Sequence, residues 1–426
     1  MTTNKARKYT AFLRQLGQKK RHSLRSNSKF KIQNSKLFLI LIAQRARRAY
    51  FEFKRGQLSN VTRVLLTIFL VSLLLFLSYA STGVTMSQNT NHIAKSTTTQ
   101  GKRDKWLWPF ASNSIWNMPI GSRAVYRPAK IQQAKYASGD EEYFYKLNSN
   151  DPQRPVYSPG NFGPGRCTGT QSMGISLPVP DNLIVPDATS QPYYTPNNAS
   201  AFLMPDGKTL EQFEPLARCT AGGSVHGWRN PWGGVDIYGD GIKGGHLGSG
   251  LSSIGGSIRK GELTNNQPIR HALKVVIWGE KYLYYSRTVP GYRWPAYIAD
   301  SNAANQYHGT NPKLVQGTLL AIPRNVTAAR LKLQTPAAKK LFQALQNYGA
   351  YVVDDAGWDA HYLCVEKGVV EEFRATYGYD FQTANGKFYD DFMKLFKALH
   401  IVDNNGPKNI GGGGTPRVSL APPIGN

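Results

Sequence analysis

The sequence predicts a mainly β protein, a β-sandwich or jelly-roll-like domain with a few peripheral helices, preceded by one membrane or signal helix. Three observations carry this. Residues 201–216 spell a hairpin: two strand-like runs joined by Pro205-Asp206-Gly207-Lys208, and Asp-Gly in a tight loop between such runs is a strong local signal. Further strand-like runs lie at 175–179, 183–185, 269–278, 317–323 and 350–355. Residues 64–80, VLLTIFLVSLLLFLSYA, are apolar and uncharged, with Arg63 at their front edge.

Charge and length place the ends of that domain. The chain has 426 residues, 41% of them hydrophobic, enough for a real core. Its net charge of +26 is concentrated: residues 1–63 hold seventeen Lys and Arg against one acid, Glu52, a charge of +16, and the rest carries +10. The body is therefore only mildly basic, which suits an acidic glycan or envelope surface and gives no reason to expect nucleic acid as its partner. Residues 64–80 have the length of a short membrane span or a long signal-peptide core, and Ser78-Tyr79-Ala80 offers a cleavage site. Excess Lys and Arg before that run orient the N-terminus inside and the remainder outside, either secreted or anchored in the membrane through 64–80. The 1–63 segment contains a seven-residue direct repeat starting at Asn27 and Asn34. It reads equally as an overextended gene start and as a basic tail that binds anionic lipid or nucleic acid.

Residues 81–105 are rich in Ser, Thr, Asn and Gln, the composition of a solvated linker, so the exported β-rich domain is expected at 106–402. Its opening, WLWPFASNSIWNMPIG, places three tryptophans in eleven residues, which are expected to plug one end of the core, a sugar platform being the alternative. Residues 130–147, with Asp140, Glu141 and Glu142, read as helix-compatible. In the second hairpin strand, alternation sets Glu211 and Phe213 on one face and Leu210, Gln212 and Glu214 on the other, so one glutamate faces inward. The three cysteines are Cys167, Cys219 and Cys364; the first two bracket the hairpin and are the expected disulfide.

The chemistry crowds into residues 232–278, from Trp232 through a glycine run holding His246 to Arg259, Glu262 and His271. These glycines lie between strands and open no helix, which rules out a dinucleotide loop. No Lys-Ser or Lys-Thr follows to make a phosphate loop, and no Cys or His spacing spells zinc. No cofactor is expected, apart from a structural calcium offered by Asp236 and Asp240, whose spacing favours a solvated turn instead. The run IRHALKVVIW alternates Ile269, His271, Leu273, Val275 and Ile277 against Arg270, Ala272, Lys274, Val276 and Trp278. A helix is marked at 336–348 by Thr335 as cap, Pro336 in the first turn and Gly349 as stop. The strand after it ends in Asp354 and Asp355; a second helix at 387–399 precedes a Gly and Pro tail, 403–426, expected to be disordered.

The segments IRHALKV, YRWPA, GTLLAIP, ALQNYGAYVVDDAGWD, TLEQFEPL and SIRKGEL, in their order along residues 108–365, resemble a widespread set of exported bacterial proteins placed near concanavalin-like, glycan-binding or glycan-cleaving β-sandwich folds. That resemblance implies a role on a polysaccharide or cell-envelope glycan and brings no established reaction. Carried onto this chain, its polar positions are Glu211, Arg259, Glu262, His271, Trp294, Asp354 and Asp355. Glycosidase chemistry needs two carboxyls flanking the scissile bond. Glu211 and Glu262 are the expected pair, with Asp236 or Asp354 as substitutes, His271 orienting one of them, and Trp232 and Trp294 stacking on sugar. A lyase on an acidic glycan would instead use His271 or a tyrosine as base and Arg259 against the uronate. A non-catalytic polysaccharide-binding protein and a membrane-anchored structural protein remain the alternatives.

Overall fold

A computed structural model describes residues 102–189 and 196–425. The basic leader, the apolar run at 64–80 and the linker up to residue 101 lie outside the described residues. Among the described residues no helix is long and apolar enough to cross a membrane.

The strand that organises the domain is the segment predicted as helix-compatible. Residues 136–146 form an eleven-residue strand, β2 (Tyr136–Lys146). Helix propensity is overridden because β2 is paired on both sides, and strand preference is largely a matter of such packing. Its first part runs parallel to β12 (Ala360–Glu366), with Asp140 opposite Cys364, and its last part parallel to β5 (Ser200–Leu203).

Around β2 the chain builds a mixed, mainly β sheet of thirteen strands. On one side lie β12, β9 (Leu273–Trp278), β11 (Ala350–Ala356), β10 (Leu319–Ala321), β13 (His400–Val402) and β1 (Tyr126–Pro128). On the other lie β5, β6 (Thr209–Ala217), β7 (Val225–Arg229), β3 (Gln153–Tyr157) and β4 (Ser172–Pro178), with the short β8 (Val235–Asp236) also on β6. The expected hairpin is β5 and β6, paired antiparallel from Ser200 and Phe213 to Leu203 and Leu210.

Both faces of the central strands are covered. Two short turns, α1 (Gly279–Tyr282) and α2 (Ala303–Gln306), follow β9, and three longer helices come later: α3 (Pro336–Asn347), α4 (Val369–Tyr377) and α5 (Lys387–Ala398). The Thr335 hydroxyl caps α3 by accepting from the Ala338 amide. Leu341 and Leu345 of α3 and Phe392 and Phe396 of α5 pack with Leu273, Val275 and Ile277 of β9; each such side chain stabilises the fold by roughly 1.5–3 kcal/mol. The opposite face is closed by Trp106, Phe110, Ile115 and Trp116 with Leu251 and Ile254 of the glycine run. The tryptophan-rich opening is thus core closure, and a side chain at Gly255 or Gly256 would collide with the Trp116 ring.

Two details extend the expected organisation. Cys167 and Cys219 form a disulfide and Cys364 is a buried free thiol. The Gly and Pro segment at the C-terminus, expected to be disordered, is instead laid against the domain: Arg103 pairs with Ile424, its Nε donates to the Pro422 carbonyl at 2.6 Å, and Ala421 is buried.

Candidate functional site

Four strands and one loop converge behind the middle of the sheet. β9 contributes Lys274, which has no exposed surface. On a half-exposed strand this lysine would read as the solvent face; here Ala272 and Val276, its neighbours on that face, are buried as well. Its ammonium donates to Glu142 Oε1 of β2 at 2.6 Å and to the carbonyls of Ser252, at 3.3 Å, and Ser253. Glu142 also accepts from the Ser257 hydroxyl.

The glycine run brings in His246, fully buried, its Nε2 2.8 Å from Glu142 Oε1 and 3.0 Å from Lys274 Nζ. Its Nδ1 faces Glu214 Oε1 of β6 at 3.5 Å and Asp354 Oδ2 of β11 at 4.0 Å. Neither Nδ1 nor Glu214 Oε1 makes a hydrogen bond among the described residues, although both are shut off from solvent. The other oxygen of Glu214 accepts from the Leu247 amide.

Asp354 reaches this group through a bulge. Val352 of β11 lies opposite Val275, but Asp354 lies opposite Val276, with Val353 as the extra residue. Without the bulge Asp354 would oppose Ile277 and point at the helices; the extra residue turns it to the face of Lys274. Gly248 is packed so closely over Asp354 that a Cβ there would lie 2.3 Å from Oδ1. Asp355 accepts from Gln306 Nε2 at 2.7 Å and, with Asp300, has a carboxylate oxygen within 4.8 Å of Asp354.

Electrostatics divide these carboxyls. Burial raises Glu142, but the Lys274 ammonium and the imidazole of His246 outweigh it and hold the group below the ordinary carboxylate range. Burial and then Glu214 push Asp354 well above that range. Asp140, half-buried at the rim two residues before Glu142, is pushed up to about 7 by burial first and Glu142 second. Burial and Lys274 disfavour charge on His246, yet Glu214 and Glu142 carry its proton affinity above the ordinary value. Carboxyls whose proton affinities are driven apart are the raw material of acid and base catalysis.

Family models, curated proteins and solved structures were compared with the chain, and none matches. The site therefore stands on its own geometry.

The structure does not bring the expected carboxylate pair together. Glu211 is buried in a two-pronged ion pair with Arg229, at 2.7 and 2.8 Å. Glu262 bonds His271 Nε2 at 3.0 Å and the Arg259 amide at 2.8 Å. The two glutamates share no partner among the described residues. Burial favours a neutral Glu262, but the His271 imidazole outweighs it and holds the acid below its usual range; burial likewise opposes charging His271, which Glu262 reverses. Arg259 is buried, its Nε on Glu366 at 2.9 Å. With His271 it borders a small hollow beside Trp108 and Trp116 that also touches Ser257.

Of the expected aromatics, Trp232 packs on Tyr297 at 5.9 Å, with the Lys243 ammonium within 6 Å of both rings. Trp294 is half-buried before Pro295. Asp236 is exposed, pairs with Lys208 at 3.3 Å and caps the Tyr238 amide, while Asp240 caps Ile242. Neither aspartate belongs to a group of three ligand-type side chains among the described residues. Sequence reasoning named Asp354, weighed Glu214 against Glu211, noted His246, and missed Glu142, Asp140 and Lys274 as site residues. The available signal was Lys274 itself: a lysine amid the apolar residues of a central strand needs a buried counter-charge.

Proposed function

We propose that this chain is an exported carbohydrate-active protein that cleaves a polysaccharide by glycosidase-type chemistry, with its working carboxyls at Asp140, Glu214 and Asp354 in place of Glu211 and Glu262. One observation carries the proposal: carboxyls from three separate strands gather around His246, its Nδ1 and Glu214 Oε1 are buried without hydrogen bonds, and a partly exposed carboxyl, Asp140, stands beside them on β2. A fold holds such a costly arrangement where chemistry needs it. Asp140 has the access to exchange a proton with a leaving group, and Glu214 and Asp354 set the field behind it.

The loop that inserts His246 supports a sugar-binding role at its other end. At Gly250 it passes so close to the Trp232 ring and Tyr297 that a Cβ there would meet both, and Tyr136 packs at a tilt on the exposed Trp358, ring centres 4.8 Å apart. Such aromatic faces suit the apolar faces of pyranose rings. A concanavalin-like sandwich belongs to the same reading. Export is supported by the apolar run at 64–80 and by the Cys167–Cys219 disulfide, which suits an oxidising compartment. A lyase acting on an acidic glycan is the second reading, favoured by the Lys243 ammonium over the Trp232–Tyr297 pair, a place for a uronate carboxylate.

A glycan array and a reducing-sugar screen on residues 97–426 test this, with Asp140→Asn and Glu214→Gln beside the unaltered protein. The expected result is turnover of at least one glycan, lost on either substitution while binding persists. An unsaturated uronate product would select the lyase reading. Binding without turnover in the unaltered protein would leave a polysaccharide-binding protein, and neither binding nor turnover sinks the carbohydrate assignment.

A further inference from the structure

The group at His246 has the form of a metal site. Lys274 has three N–H donors, and Glu142 Oε1 and the carbonyls of Ser252 and Ser253 accept all three, so it does not need the imidazole as acceptor. His246 Nε2 is then free to donate to Glu142 Oε1, 2.8 Å away. This fixes the tautomer and turns the Nδ1 lone pair toward Glu214 Oε1 and Asp354 Oδ2. Three electron-rich atoms now surround one point, all within 4.8 Å of one another, and no donor stands between them.

We propose that His246 Nδ1, Glu214 and Asp354 bind one divalent transition cation of the zinc or manganese type. Charge is consistent: Lys274 balances Glu142, and ligand protons released on binding would leave Glu214 and Asp354 as the two carboxylates that face the cation. Spacing agrees as well. Ligand atoms about 2.1 Å from one ion are at most about 4.2 Å apart when opposed; the two Nδ1 distances, 3.5 and 4.0 Å, fall inside that span, and the two carboxylates lie within 4.8 Å of each other. A histidine whose second nitrogen donates to a carboxylate is the usual outer support of a metal ligand, and Glu142, anchored by Lys274 and Ser257, supplies it. One imidazole with two carboxylates favours zinc or manganese over calcium, which takes all-oxygen cages. Asp300 and Asp355 lie on the far side of Asp354 but are already engaged, by Tyr307 and Gln306, and stay outside the set. The cation is detected directly, independently of any glycan.

The test is equilibrium dialysis of the full-length chain, freed of metal by chelator, against zinc, manganese, calcium or magnesium, followed by elemental analysis. One equivalent of zinc or manganese is expected, together with the visible spectrum of a nitrogen and oxygen site when cobalt is bound. Glu214→Gln and Asp354→Asn are each expected to weaken binding at least 100-fold, and Glu142→Gln roughly 10- to 100-fold. Asp236→Asn should change nothing. Circular dichroism establishes that each variant is folded. Failure of the folded, unaltered chain to take up a stoichiometric ion, uptake of calcium alone, or retention of metal by folded Glu214→Gln and Asp354→Asn overturns the assignment.

Discussion

Replacing Lys274 by Met probes the centre of the fold and of the site together. Lys274 has no exposed surface and holds Glu142 at 2.6 Å, and Glu142 is equally buried. Methionine fills much the same volume but leaves the Glu142 carboxylate with only Ser257 and His246 around it. Breaking a buried pair by removing one partner costs about 3–5 kcal/mol, because the remaining charge stays desolvated. The surface pair of Arg374 and Asp380 is the reference: there removing the cation should cost at most about 1 kcal/mol. Urea unfolding of residues 97–426, followed by circular dichroism and fluorescence, reads both losses. Adding Glu142→Gln to Lys274→Met should recover part of the loss, as a coupling of about 0.5–3 kcal/mol between contacting groups. A loss below about 1 kcal/mol for Lys274→Met, or strict additivity in the double variant, would refute the buried ion pair as the support of the cluster.

Three more expectations follow from the same structure. His361 is buried against Phe396, its Nε2 on the Gln132 carbonyl, and burial lowers it to about 4 from the ordinary 6.5. The unfolded chain therefore takes up this proton first, so its contribution is complete above about pH 6.5 and falls away toward pH 4, by about 3 kcal/mol in all. Stability measured against pH for the unaltered protein and His361→Gln should differ by that slope, and parallel curves would contradict it. Gly248→Ala should destabilise by about 1–3 kcal/mol and displace Asp354, because the methyl meets its carboxylate; a neutral effect would mean the loop is looser than described. Reduction of Cys167–Cys219, which are 52 residues apart, should remove about 4 kcal/mol, read as a shift of the urea midpoint with and without reductant.

The legible parts of the sequence were those in which local signals agree with their surroundings. The hairpin of β5 and β6, the Thr335-capped helix and the helix at 387 all carry their own turn, cap or period. The strand β2 does not: its acids and its Gln and Ala-rich approach fit a helix, and only pairing with β12 and β5 makes it extended. The site suffered from the same limit. Alternation separated Glu211 from Glu214 but gave no way to know that β6 is covered on both faces, with Arg229 on Glu211 and the His246 loop on Glu214. Asp354 was visible as an acid at a strand end, whereas its direction depends on the bulge at Val353, which is set by the register against β9. Glu262 and His271 do meet, as expected from their nearness in sequence, but they meet in an ion pair with Arg259 and Lys340 nearby, away from the other carboxyls.

The most direct test of the carbohydrate assignment compares two substitutions in one assay. Initial rates of reducing-sugar release are measured on the best substrate from the screen, with Glu214→Gln and Glu262→Gln each set against the unaltered protein. If the carboxyls around His246 do the chemistry, Glu214→Gln loses at least 100-fold in kcat and Glu262→Gln, once folded, keeps its rate within a few-fold, in line with the roughly 10²–10³-fold cost of removing one preorganised electrostatic group. The reverse pattern, with Glu262→Gln inactive and Glu214→Gln active, would contradict the account.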